Sequence, residues 1–212
     1  MADTYKETLP AQIALVLSDR IITGQLPAGA KLRQDHIAAE FKTSHVPVRE
    51  AFRRLEARGL LISIPRRGVR VTGIDPNQRR EVAEMRASLE VLALRHASLN
   101  FDRNYLVYLG NLNQQQSECD TIQSWEAANR TFHQALIKLC KMPRLISSIE
   151  DLHISSARFL FAAKPNKWEP RVDHEHLAIL DALRKGQIEV ACAILAQHVR
   201  RAGRRLGGRL GR

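Results

Sequence analysis

Aromatic side chains are scarce in this chain: Phe, Tyr and Trp make up 5% of 212 residues, so a core must rest on Leu, Ile, Val and Ala. Cysteine is scarcer still. Cys119, Cys140 and Cys192 are odd in number, far apart and without a C-x-x-C spacing. That pattern argues against a disulfide framework and for reduced thiols in a cytoplasmic protein. Each is expected to be a small core residue rather than a nucleophile. No apolar run approaches the roughly 20 residues that span a bilayer. Met1–Pro10 lacks the apolar segment of an export signal. No membrane partner is expected.

Acidic residues are the other shortage. Lys and Arg number 33 against 22 Asp and Glu, a formal net charge of +11. Such an excess favours a polyanionic partner. It lies at the two ends: residues 1–75 carry 12 basic and 8 acidic side chains, and residues 76–199 carry 15 and 14. Residues 200–212 carry six Arg and no acid. This tail reads either as a solvated helix end or as a segment drawn to DNA phosphates.

The first 75 residues read as one module. Leu9, Ile13, Val16, Leu17, Ile21 and Ile22 recur at helical spacing over residues 9–23. Gly24 is suited to closing the helix in a left-handed conformation. After the turn at residues 25–30, Gln34–Phe41 forms a short helix with Ile37 and Phe41 on one face. Ser44 is placed as the N-cap of the next helix, with Pro47 and Glu50 in its first turn. That helix carries Arg49 and Arg53. Two short helices joined by a tight turn, the second rich in Arg, form a helix-turn-helix pattern. Leu60–Ile64 and Val69–Val71 are β-prone runs around Pro65-Arg66-Arg67-Gly68, a hairpin with a basic tip. A basic hairpin beside an Arg-bearing helix is the arrangement of a DNA-binding wing. The bland alternative is a solvated hairpin and a surface helix with incidental charge. The ordered set within about 65 residues favours double-stranded DNA.

The strings Ile22-Thr23-Gly24, Leu26-Pro27-Ala28-Gly29, Ser44-His45-Val46-Pro47-Val48-Arg49-Glu50-Ala51 and Gly68-Val69 resemble the DNA-binding half of the GntR family. The resemblance covers residues 9–72 and is nearest to the branch carrying an FCD effector domain. By position it implies that Arg33, Ser44, His45, Pro47 and Arg49 approach DNA, with Arg66, Arg67 and Gly68 in the wing. The family usually has Arg where this chain has His45. Arg grips guanine through a two-pronged contact and His through one, so the preferred operator should differ. The family also implies a homodimer on a two-fold symmetric operator.

Beyond a linker at residues 72–77, the pattern is helical throughout, and six helices in an antiparallel bundle are expected over residues 76–212. The fold class is therefore mainly α: a winged helix-turn-helix followed by a helical domain for ligand sensing and dimerisation. One inward stripe is expected at Val82, Met85, Leu89, Leu92 and Ala93, and another at Leu145, Ile149 and Leu152. Asn129 and His133 lie four apart on one helix face. His176 shares a face with Ile179, Leu180 and Leu183, and His198 with Ala191, Ile194 and Leu195. Singly, each is a satisfied core or surface histidine. Together, three imidazoles and an oxygen suit a divalent Zn, Ni or Mn ion.

Asn129-x-x-x-His133, Glu175-His176 and His198 resemble the D-x-x-x-H, E-H and later H of the FCD domain, over roughly residues 79–200. Asn129 stands where many members have Asp, and an amide is the poorer ligand. Arg86 and Glu90 match the R-x-x-L-E of the first FCD helix. The plain reading of the pair is an exposed i, i+4 ion pair. The resemblance instead turns Arg86 toward the ligand cavity, to fork a small carboxylate effector. The implied function is a sequence-specific transcriptional repressor relieved by a small organic acid. A metal-dependent enzyme fused to a DNA-targeting module and a ligand-free architectural protein stay open as alternatives. Against the enzyme, only Asp173 and Glu175 stand near the histidines in sequence as candidate bases.

Overall fold

The computed structural model describes residues 8–75, 77–163 and 172–205. The chain divides into two units, Met1–Ile74 and Asp75–Arg212. The first runs α1 (Leu9–Ile22), β1 (Lys31–Leu32), α2 (Gln34–Glu40), α3 (His45–Ala57), β2 (Leu61–Ile64) and β3 (Gly68–Val71). Pro10 opens α1 where no N–H is needed, and Gly24, just beyond it, takes φ +79°. Ile13, Leu17 and Ile21 form an i, i+4, i+8 row on α1 that packs against Val48, Ala51, Phe52 and Leu55 of α3. At roughly 1.5–3 kcal/mol per large apolar side chain buried, this helix pair anchors the unit. Val16 and Leu9, expected inward, are 37% and 40% exposed. Val16 sits one position off the row, and Leu9 is the first residue of the helix.

Ser44 occupies the expected place before α3, with extended backbone, but its hydroxyl makes no capping bond. One of the two N–H groups that an N-cap side chain can bond is absent there, because the third helical residue is Pro47. The sheet has strand order β1-β3-β2, both pairs antiparallel. The β2–β3 hairpin sets Leu61 opposite Val71 and Ile64 opposite Gly68. β1 was not legible beforehand, because two residues carry no periodicity. It is tied in by Gly29 N–H donating to Val71 O (3.0 Å) and Val71 N–H to Ala30 O (2.9 Å).

The second unit comprises α4 (Gln78–Ser98), α5 (Arg103–Ser117), α6 (Ile122–Ile137), a 3-10 turn at Lys138–Cys140, α7 (Pro143–Ala162), α8 (His174–Arg184) and α9 (Ile188–Arg205). Ser155–Phe161 continues α7. The end of the basic tail, residues 206–212, lies outside the described residues. α4 packs on α6, α7 and α9, and α8 on α5 and α9, around Phe132, Leu136, Ile149, Ile179 and Leu195. The inward face of α4 differs from the expected stripe. Met85 and Leu92 are 45% and 41% exposed, whereas Ala83, Arg86, Ala87, Glu90 and Leu94 are buried. The buried row is made of alanines, which allow close approach to neighbouring helices, and of one charged pair. Of the expected stripe Ala93 is buried and Val82 and Leu89 are half-buried, so apolarity alone misplaced Met85 and Leu92 and overlooked the buried charged pair.

Candidate functional site

Two surfaces concentrate the chemistry, one in each unit. In the first, α3 buries Val48, Ala51, Phe52 and Leu55 and leaves His45, Arg49 and Arg53 exposed at i, i+4, i+8 on the opposite face. His45 Nε2 lies 3.6 Å from Asp35 Oδ1, and Arg54 rather than Arg49 or Arg53 pairs with Glu50, at 3.4 Å. Pro47 is half-buried, and Ser44 and Arg33 are exposed, Arg33 immediately before α2. At the hairpin tip Arg66, Arg67 and Gly68 are exposed, with Arg66 at φ +61° and Gly68 at +79°. The N–H of Arg67 closes the turn onto Ile64 O at 2.9 Å.

In the helical unit a cavity of about 460 Å³ is lined by Arg86 from α4, Trp125, Asn129 and His133 from α6, His153 from α7 and His198 from α9. Among the described residues His133, His176 and His198 bring one ring nitrogen each within 4.8 Å of the others. Their positions have local causes. Asp173 caps α8 by accepting from Glu175 N (3.0 Å) and His176 N (3.2 Å), which fixes His176 in the first turn. Phe132 stacks on the His176 ring at 4.1 Å.

Each Nδ1 faces an acceptor. His133 Nδ1 donates to Glu90 Oε2 at 2.7 Å, and His198 Nδ1 to Glu175 Oε2 at 2.8 Å. His176 Nδ1 donates to Gln116 Oε1 (2.9 Å) and Asn113 Oδ1 (3.2 Å). With the protons on Nδ1, the Nε2 lone pairs point inward. His133 Nε2 is buried without a partner, and the Nε2 atoms of His176 and His198 stand 3.3 Å apart. Burial, with His133 and His198 nearby, holds His176 well below its ordinary pKa; burial and His133 lower His198. Neutral imidazoles with facing lone pairs repel one another unless a cation lies between them. The donor set therefore fits a divalent ion with Nδ1 partners fixing the tautomers.

Arg86 is not the exposed pair of the plain reading. Its Nε donates to Glu90 Oε1 at 2.8 Å, with side chains 9% and 0% exposed. Burial alone would raise Glu90, but Arg86, His133 and His153 outweigh it and hold the carboxyl well below the usual range. The sequence reading missed His153 and the amide pair Asn113 and Gln116, and took Glu90 only as the partner of Arg86. His153 Nε2 lies 3.2 Å from Glu90 Oε1, and burial lowers its pKa to about 4. It sits where Leu152 was expected inward. The row Ile149, His153, Ala157 at i, i+4, i+8 was the available signal. Glu90 is 43 residues from His133, so in the sequence only Asp173 and Glu175 stand close to the histidines. His174 is exposed on the cavity rim.

A winged helix-turn-helix with a basic outward face, joined to a helical unit that encloses a histidine-lined cavity, is the build of a DNA-binding transcriptional regulator. Residues 9–71 match the bacterial regulatory proteins of the gntR family, and residues 81–201 match the FCD domain. The chain belongs to the GntR family and carries an FCD domain. It is 31% identical to a "Probable D-xylose utilization operon transcriptional repressor" of Paenarthrobacter nicotinovorans, over 92% of this chain and 87% of that protein. It is 27% identical to the "HTH-type transcriptional repressor RspR" of Escherichia coli, over 89% and 84%. The fold superposes on E. coli McbR/YncC with a TM-score of 0.81 at 24% identity, covering 94% of this chain and 97% of that one. These relatives are transcriptional regulators, and so is this chain; the enzyme alternative is set aside.

Proposed function

We propose that this regulator is a repressor that acts in the cytoplasm as a homodimer on a two-fold symmetric operator, released by a small organic acid. His45, Arg49 and Arg53 of α3 would face the major groove, with Arg33, Ser44 and Pro47 at its edge. Arg66, Arg67 and Gly68 would track the adjacent minor groove. His133, His176 and His198 would hold a divalent Zn, Ni or Mn ion through Nε2. Bound there, the ion would supply a positive charge to an acid's carboxylate. Arg86, on the cavity wall, would orient the carboxylate in fork geometry. The observation that carries this reading is the convergence of three imidazole lone pairs on a cavity that also presents a guanidinium. A volume of about 460 Å³ suits a small metabolite. Regulation requires the acid to bind the operator-competent and released states with different affinities.

The test joins elemental analysis of purified protein to gel shifts on its own upstream DNA, with and without a panel of small carboxylic acids. One divalent ion per chain and an acid-dependent change in operator affinity are expected. Protein that neither retains nor takes up a divalent ion, and whose DNA affinity no acid alters, would contradict the reading.

A further inference from the structure

We infer that Asn129 is an outer brace rather than a metal ligand, so that metal and carboxylate enter this cavity as a mutually strengthening pair. The inference rests on the proposed metal-and-acid reading of the cavity and assigns a different role to one of its residues. His176 Nδ1 donates to Gln116 Oε1 at 2.9 Å, and Gln116 Nε2 in turn donates to Asn129 Oδ1 at 3.1 Å. Gln116 is 1% exposed, so this relay is sheltered from water. The amide oxygen of Asn129 is thus the terminal acceptor of a chain that begins on a ligand imidazole and fixes its ring. What remains on that oxygen is a lone pair of a neutral amide already polarised by a donor.

The charges around the cavity lead to the same place. Among the described residues each carboxylate on or beside its wall already has a hydrogen-bond or ion-pair partner. Glu90 is bound by Arg86 and His133. Glu126 pairs with Arg130 at 3.4 Å. Asp173 caps α8, and Glu175 joins His198 to Arg201 at 2.8 and 2.5 Å. Three imidazoles leave a tetrahedral site one ligand short and place no anion on the ion itself. A fourth donor from outside the chain can be water or an anion, and only an anion also offsets the ion's charge at that position. A carboxylate meets both needs, one oxygen on the ion and the other toward Arg86. Where an Asp at position 129 would satisfy the metal on its own, Asn129 makes metal affinity depend on the acid. By linkage the acid's affinity depends equally on the metal.

The experiment measures Zn²⁺ affinity of the full chain by competition with a chromophoric chelator, in acetate and in perchlorate at equal ionic strength. Acetate is expected to tighten Zn²⁺ binding by about fivefold or more, and Zn²⁺ to tighten acetate binding by the same factor. Asn129→Asp should bind Zn²⁺ more tightly in perchlorate and lose most of the acetate effect. Asn129→Ala should keep Zn²⁺ binding and the acetate effect, while His198→Ala loses both. Equal wild-type affinity in the two buffers would overturn the inference, as would an Asn129→Ala protein that loses Zn²⁺ as completely as His198→Ala. Failure of the wild type to bind Zn²⁺ in either buffer would instead sink the metal reading beneath it.

Discussion

Replacing Glu90 by Gln removes one charge from a buried polar cluster while keeping the side chain's shape. Glu90 has no exposed surface and holds Arg86 at 2.8 Å and His133 at 2.7 Å. The amide retains one acceptor oxygen, so it can satisfy one of these donors, but it leaves the buried guanidinium without a counter-charge. Breaking a buried pair this way costs about 3–5 kcal/mol. At roughly 2–4 °C per kcal/mol for a chain of this size, the melting temperature should fall by about 6–20 °C. Both tryptophans, Trp125 and Trp168, lie in the helical unit, so tryptophan fluorescence during urea unfolding follows that unit alone. Arg86→Met combined with Glu90→Gln removes both charges and should recover much of the loss, since an apolar replacement of a buried pair is often near neutral. A loss below about 1 kcal/mol for the single variant would refute the assignment of Glu90 as the hub of this cluster.

Three other expectations concern different elements. Arg67→Ala at the hairpin tip should weaken binding to all duplexes alike and reduce the salt slope of log K by about 0.9, as one lost phosphate contact does. His45→Arg should redirect a random-sequence selection toward guanine at the contacted position, by about 1–3 kcal/mol of discrimination; an unchanged selection would place His45 away from the bases. A Cβ on Gly203 would lie 2.4 Å from the Ala83 Cβ, so α9 meets α4 there with no room to spare. Gly203→Val should cost about 1–3 kcal/mol of stability in urea titrations, and Ala83→Gly in the same chain should restore part of it.

The winged unit was largely legible because its signals are local. Pro10, Gly24, Ser44 and Pro47 mark helix ends, and the alternation around Arg66-Arg67-Gly68 marks a hairpin. β1 escaped because its two residues make a strand only by pairing Lys31 with Arg70 and Leu32 with Val69, partners far along the chain. In the helical unit the three histidines stood on apolar stripes and could be gathered from the sequence. Their Nδ1 partners could not: Glu90, Asn113, Gln116 and Glu175 reach them across helix contacts that no spacing encodes, Glu175 excepted by its place beside His176. The α4 face was read only in part for a related reason. Alanine is a weak apolar signal but permits the closest helix approach, and Arg86 and Glu90 look like a surface pair until their surroundings are known. The α7 stripe slipped by one residue, from Leu152 to His153, because leucine was weighted above an i, i+4 row that ran through a histidine.

Regulation by this chain requires that α3 and the basic hairpin read a duplex. The direct measurement is selection from a random-sequence duplex pool, followed by fluorescence anisotropy of the winning duplex across a range of salt. Wild type and Arg49→Ala should be compared side by side. A two-fold symmetric winner is expected, bound by wild type with a steep salt dependence, with a loss of sequence preference in Arg49→Ala. A wild-type protein that enriches no sequence, or an Arg49→Ala protein with the same preference and salt slope, would contradict this expectation.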